Sequence, residues 1–70
     1  MKISARNVLL GKITKIVEGP VSTEVTIKIG PKTEIVSSIT TTAAQSLGLK
    51  KGMEAYAVIK ATNVMVGVDH

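Results

Sequence analysis

Seventy residues with a formal net charge of +4 and no Cys describe one small basic domain without disulfides. Hydrophobic residues make up 44% but aromatics only 1%, so the apolar material is Ile, Val, Leu, Met and Ala, and the chain is an ordered domain rather than a disordered tail. A chain this short buries only roughly 60% of the surface its unfolded form exposes. With disulfides excluded and the single His at position 70 unable to complete a zinc site, association with further copies is the remaining way to build a sufficient core. The longest uncharged run, residues 36–49, is full of Ser and Thr and is no membrane span. The start, Met1 to Asn7, lacks the apolar core of a secretory signal, so the predicted compartment is the cytoplasm. A pI near 9.7 favours an anionic partner: nucleic acid, anionic lipid or a small oxyanion.

Residues 8–18 are rich in Ile, Val and Leu and read as a strand. Strict alternation puts Leu9, Ile13 and Val17 on one face and Leu10, Lys12, Thr14 and Ile16 on the other, with Gly11 marking a bulge or strong bend. After the turn at Gly19-Pro20, residues 21–29 alternate cleanly, with Val21, Thr23, Val25, Ile27 and Ile29 on the core face. Gly30-Pro31-Lys32 then turns the chain into a third strand over 33–39, closing a hairpin. Residues 40–48 predict a short helix, capped by Thr41 or Thr42, with a Thr42…Gln45 capping box and Gly48 as the stop. Leu47 and Leu49 are placed to plug one end of the sheet, and Lys50-Lys51-Gly52 forms a basic turn. Residues 53–60 alternate again, with Met53, Ala55, Ala57 and Ile59 on one face. A turn at 61–63 leads to a final strand over 64–68, apolar on both faces, as at a subunit interface. The predicted fold is all-β: a five-stranded OB-like Greek-key barrel with one short helix between strands three and four, one domain over residues 1–70.

Catalysis has little to work with. There is no Cys nucleophile and no internal His, and Glu18, Glu24, Glu34, Glu54 and Asp69 are scattered along the chain without an acid–base pair. No glycine-rich phosphate loop is present, and neither a catalytic residue nor a metal ligand is predicted. A nucleic-acid-binding OB module is the alternative reading. It accords with the charge, but Tyr56 is the only aromatic side chain on which a base could stack. A small oxyanion needs only backbone N–H groups, a hydroxyl or two and a cation. Ser4-Ala5-Arg6-Asn7 and Lys60-Ala61-Thr62-Asn63 each offer such a set at a strand end; the plain readings are a strand lead-in and a polar turn.

Those same two segments carry a family resemblance. Ile3-Ser4-Ala5-Arg6-Asn7 with Gly11-Lys12-Ile13, and Val58 to Met65 with its Lys60-Ala61-Thr62-Asn63, resemble the molbindin (Mop) family of molybdate-binding proteins. The stretches Glu18-Gly19-Pro20-Val21-Ser22-Thr23-Glu24-Val25 and Leu47-Gly48-Leu49-Lys50-Lys51-Gly52 match as well, so the resemblance spans the whole chain and looks like the stand-alone type. It implies an OB-like barrel assembled as a cytoplasmic homohexamer, a trimer of dimers, that binds molybdate or tungstate between subunits for storage or homeostasis, without membrane or nucleic acid. The implied main site joins Ser4, Ala5 and Arg6 of one subunit to Lys60 and Ala61 of another. Ser4 would donate its hydroxyl, Ala5 and Arg6 their N–H groups, and Lys60 the counter-charge that a partly buried dianion requires. Ala61 stands where some relatives carry Ser, which removes a hydroxyl and leaves an N–H. A second kind of oxyanion site, around the trimer axis, maps onto Gly19, Val21 and Ser22, a loop that equally reads as a plain hairpin turn.

Overall fold

The alternation of β2 (Ser22–Gly30) organises the molecule, because it buries Thr23, Val25 and Ile27 on one face and leaves Ser22, Glu24 and Lys28 exposed. In the computed structural model, which describes residues 1–69, this strand pairs antiparallel with β1 (Asn7–Glu18) on one side and β3 (Thr33–Thr40) on the other. The helix α1 (Thr41–Leu47) follows, and β4 (Glu54–Ile59) returns to pair with the first half of β1. The sheet order β3-β2-β1-β4 is a Greek key: three consecutive strands, and a fourth that comes back beside the first. The sheet curls around Ile13, Val25, Ile27 and Ala57, with Ile16, Ile29, Ile35, Ile39 and Leu49 packed against them. A chain end such as His70 is expected to fray, and that residue lies outside the described residues.

Among the described residues the sheet contains four strands, not five. The chain leaves β4 through a single 3-10 turn, Ala61–Asn63, closed by Asn63 N–H on Lys60 O at 2.9 Å and Val64 N–H on Ala61 O at 3.3 Å. Beyond it, residues 64–68 join no ladder, and Met65 and Val66 are 93% and 91% exposed. Met65 is therefore not the core filler that its type suggests. A strand is defined by the neighbour it bonds, and within one copy this segment has none. β3 and β4 each keep an unpaired edge. Between them lies an apolar cleft of about 170 Å³, lined by Ile35, Val36 and Ser37 on one side and Tyr56, Val58 and Ile59 on the other.

One departure from strict alternation and one close approach shape β1. Ile13 pairs with Ile27 but Lys15 pairs with Thr26, so Thr14 is an extra residue. That one-residue slip exchanges the faces: Ile16 packs on the core, whereas Val17, expected beside Ile13, is 50% exposed. The bulge thus lies beyond Gly11, whose role is close approach. A Cβ there would sit 2.5 Å from Lys28 O and 2.7 Å from an Ile27 methyl.

The helix start also differs by a residue. Thr40 is the N-cap, its hydroxyl accepting from Ala43 N–H at 3.0 Å. Thr41 is drawn inward instead, and Gln45 reaches Glu18 (3.2 Å) rather than closing a capping box. Gly48 ends the helix in the left-handed region at φ 64°, as predicted. Leu49 seats on the core, while Leu47 stays 66% exposed.

Candidate functional site

The pairing of β1 with β4 brings the two donor-rich segments together. Asn7 is in register with Ile59, so Ser4-Ala5-Arg6, leading into β1, and Lys60-Ala61, leading out of β4, reach the same end of the sheet within one chain. Ser4, Arg6, Lys60 and Ala61 are exposed and Ala5 is half-buried. Ala5 also lines an open groove of about 520 Å³ with Lys2, Ile3, Val8 and Tyr56. Lys2, which has no part in either donor-rich segment, adds a third cation near this end, after Arg6 and Lys60.

The backbone here presents donors rather than acceptors. Asn7 Nδ2 donates to Ile59 O at 3.2 Å, Asn63 N–H to Lys60 O and Val64 N–H to Ala61 O. Three successive carbonyls are thereby occupied. A trans peptide is planar, with its N–H opposed to its C=O, so fixing the Ile59 and Lys60 carbonyls directs the N–H groups of Lys60 and Ala61 the other way. Among the described residues neither N–H has a backbone partner. Consecutive N–H groups beside an ammonium form a surface for an acceptor-only anion. Asn7 was part of the motif but had no assigned role; an Asn opening a strand of Val and Leu, where Asn is depleted, was the available signal.

Gly19 and Val21 lie in the β1–β2 turn and Ser22 opens β2, all at the opposite end of β1 from Asn7. This turn is largely closed on itself. Gly19 N–H donates to Ser22 O at 3.0 Å, Thr41 N–H to Val21 O at 2.8 Å and Thr41 Oγ1 to Gly19 O at 2.6 Å. Gly19 thus has its N–H engaged within the chain, while Val21 N–H has no backbone partner among the described residues and Ser22 is exposed. Beneath the turn, Thr23 Oγ1 lies 2.8 Å from Thr41 Oγ1. Thr41 has one hydroxyl hydrogen and gives it to Gly19 O, so Thr23 is the donor in that pair.

Comparison with known proteins matches residues 3–66 to the family model described as the TOBE domain. This chain belongs to the TOBE domain family. Within it, the chain is of the Mop, or molbindin, type. This TOBE domain is 51% identical over 69 residues to a probable molybdenum-pterin-binding protein of Haemophilus influenzae, covering 99% of this chain and 100% of that relative. Among solved structures it superposes with TM-score 0.90 on a molybdate-binding protein from Sporomusa ovata, at 35% identity and covering 97% and 100% of the two chains. It superposes with TM-score 0.92 on the cytoplasmic molybdate-binding protein ModG, determined with molybdate bound, at 48% identity. That match covers 99% of this TOBE domain and 49% of ModG, so the chain spans about half of that neighbour. These relatives are named as binding proteins rather than enzymes. Among the described residues no three His, Cys, Asp or Glu side chains group as for a metal ion. No helix among them is long and apolar enough to cross a membrane.

Proposed function

We propose that this TOBE domain binds molybdate, and tungstate as its close analogue, by hydrogen bonding and charge, for cytoplasmic storage or homeostasis and without catalysis. The observation that carries this reading is the Asn7–Ile59 register. It gathers Ser4, Ala5 and Arg6 with Lys60 and Ala61 at one end of the sheet, where carbonyls are engaged and N–H groups are not. Molybdate is a tetrahedral dianion whose oxygens only accept. It is matched by a site of donors: the Ser4 hydroxyl, the N–H groups of Ala5, Arg6 and Ala61, and the Lys60 ammonium. Sulfate has the same charge and shape but is smaller, so a preformed cage favours the larger anion.

The unpaired cleft supports an assembly of several copies. In this reading residues 64–68 of one copy lie between β3 and β4 of a second copy, each covering the other's apolar surface and edges. Exposed Val64, Met65, Val66 and Val68 and an apolar cleft between two bare strands support it. Lys60 and Ala61 directly precede this segment, so the exchange sets the donor-rich end of one sheet against the partner and places the oxyanion site between subunits. Three such dimers make the hexamer. Gly19, Val21 and Ser22 are the proposed second site, with the Val21 N–H and the Ser22 hydroxyl as donors and Gly19 shaping the turn.

Calorimetric titration of Lys60→Ala with molybdate tests the main site. The variant should remain assembled and bind on the order of 100-fold more weakly, because a desolvated dianion loses its counter-charge. Native affinity in the variant would discard the site.

A further inference from the structure

Asn7 opens β1, its side-chain amide is partly buried, and its Nδ2 donates to a carbonyl 52 positions along the chain, at 3.2 Å. That carbonyl belongs to the peptide unit whose nitrogen is that of Lys60. Because the unit is planar, holding its oxygen fixes the direction of the Lys60 N–H as well. Lys60 O is separately engaged by Asn63 N–H at 2.9 Å, which fixes the following unit and the Ala61 N–H with it. Of these two restraints, the second is a local turn bond that most sequences could form. The first adds a second donor to a carbonyl that the backbone pairing of Asn7 with Ile59 already faces, and this added restraint needs an amide side chain at position 7. Strand propensity disfavours Asn there, next to Val8, Leu9 and Leu10, and a β-branched residue would serve the ladder better. We infer that Asn7 is a positioning residue for the oxyanion site, its side-chain amide locking the Ile59–Lys60 peptide unit so that the Lys60 N–H is aimed before the anion arrives. This rests on the proposed reading of Lys60 and Ala61 as part of that site. Asn7 itself touches no ligand in this arrangement; it acts through the backbone of the segment that does.

The test uses the full chain in its assembled form, with inorganic molybdate and sulfate as probes. Asn7→Leu, close in size but without a donor, and Asn7→Ala are compared with the native chain by calorimetric titration, thermal melting and native mass spectrometry. The expected result is a loss of about tenfold in molybdate affinity, the range typical of orienting groups behind a ligand-binding residue, with the assembly intact. The preference for molybdate over sulfate should narrow as well, since a loosened peptide unit fits the larger anion no better than the smaller. Asn7→Gln keeps an amide donor and should recover part of both. A side chain that merely fastens the strand would lower the melting temperature and leave affinity and preference untouched in the assembled protein, and that result overturns the inference. Lys60→Ala in the same titrations separates the two possible failures. If it binds molybdate as the native chain does, the site reading falls; if it loses binding while Asn7→Leu retains it, only the role of Asn7 falls.

Discussion

Where β1 ends, at Glu18, the turn that follows is tied down by Thr41, and the hydroxyls of Thr23 and Thr41 are both satisfied although they are 1% and 9% exposed. Where β1 begins, at Asn7, the neighbouring segments keep N–H groups without backbone partners, and residues 64–68 hold their apolar side chains in solvent. The same strand thus has one end that is largely closed on itself and one whose N–H donors and apolar side chains stay open. The proposed places of ligand and partner rest on this difference. Burial of polar groups is tolerated only when they are bonded, and apolar exposure on the scale of residues 64–68 is tolerated only when something covers it.

The largest effect should come from the open end. Val66→Asp places a charge in the segment proposed to enter the apolar cleft of a second copy, where an uncompensated charge costs several kcal/mol. Native mass spectrometry should show the assembly replaced by single chains, with molybdate uptake lost alongside it. If Val66→Asp assembled normally, residues 64–68 would not be the cover for the β3–β4 cleft.

At the closed end the effect should be intermediate, a loss of stability that leaves the main oxyanion site untouched. Thr41→Val keeps the shape and the N–H but removes the hydroxyl, which leaves Gly19 O without its donor and the Thr23 hydroxyl without its acceptor. Urea unfolding should show a loss of about 1–3 kcal/mol, the usual cost of stranding a buried polar group. Thr41→Ser should restore most of it, and molybdate affinity at the far end of β1 should not change. A change in affinity of the assembled protein would mean that the two ends are coupled.

The contrast also explains what was legible in the sequence. β2, β3 and β4 were readable because Val25, Ile27, Ile35 and Ala57 obey an alternation that each strand enforces by itself. Val17 was misplaced because the slip at Thr14 is a property of the β1–β2 pairing, and no pattern within β1 reveals it. Thr40 was missed as the helix cap because three threonines in a row offer equal local chemistry. Only the burial of Thr41 against Thr23 decides among them. The expected fifth strand has strand composition, but composition does not supply the neighbour that turns such a segment into a ladder. The candidate site residues were readable as two donor-rich segments. That they meet at one sheet end depends on a register spanning most of the chain, which needed the fold.

The smallest expected effect sharpens the comparison from within the closed end. Gly48 stands at φ 64°, and a Cβ added there would meet nothing within 4 Å. The cost of Gly48→Ala is therefore conformational alone, about 1 kcal/mol for holding a non-glycine residue in the left-handed region. Gly11→Ala meets the opposite situation: its backbone is not in the left-handed region, but the new methyl would press on Lys28 O, a backbone atom that cannot move aside. Unfolding measurements should rank Gly11→Ala well above Gly48→Ala. Gly48→Ala should also leave assembly and anion binding unchanged, because the bonds it strains, Gly48 N–H to Gln45 O and Leu49 N–H to Ala44 O, serve only to end α1 and seat Leu49 on the core. If Gly48→Ala cost as much as Gly11→Ala, the helix end would have to be bracing the sheet itself. The closed end would then depend on α1 as much as on the Thr23–Thr41 pair.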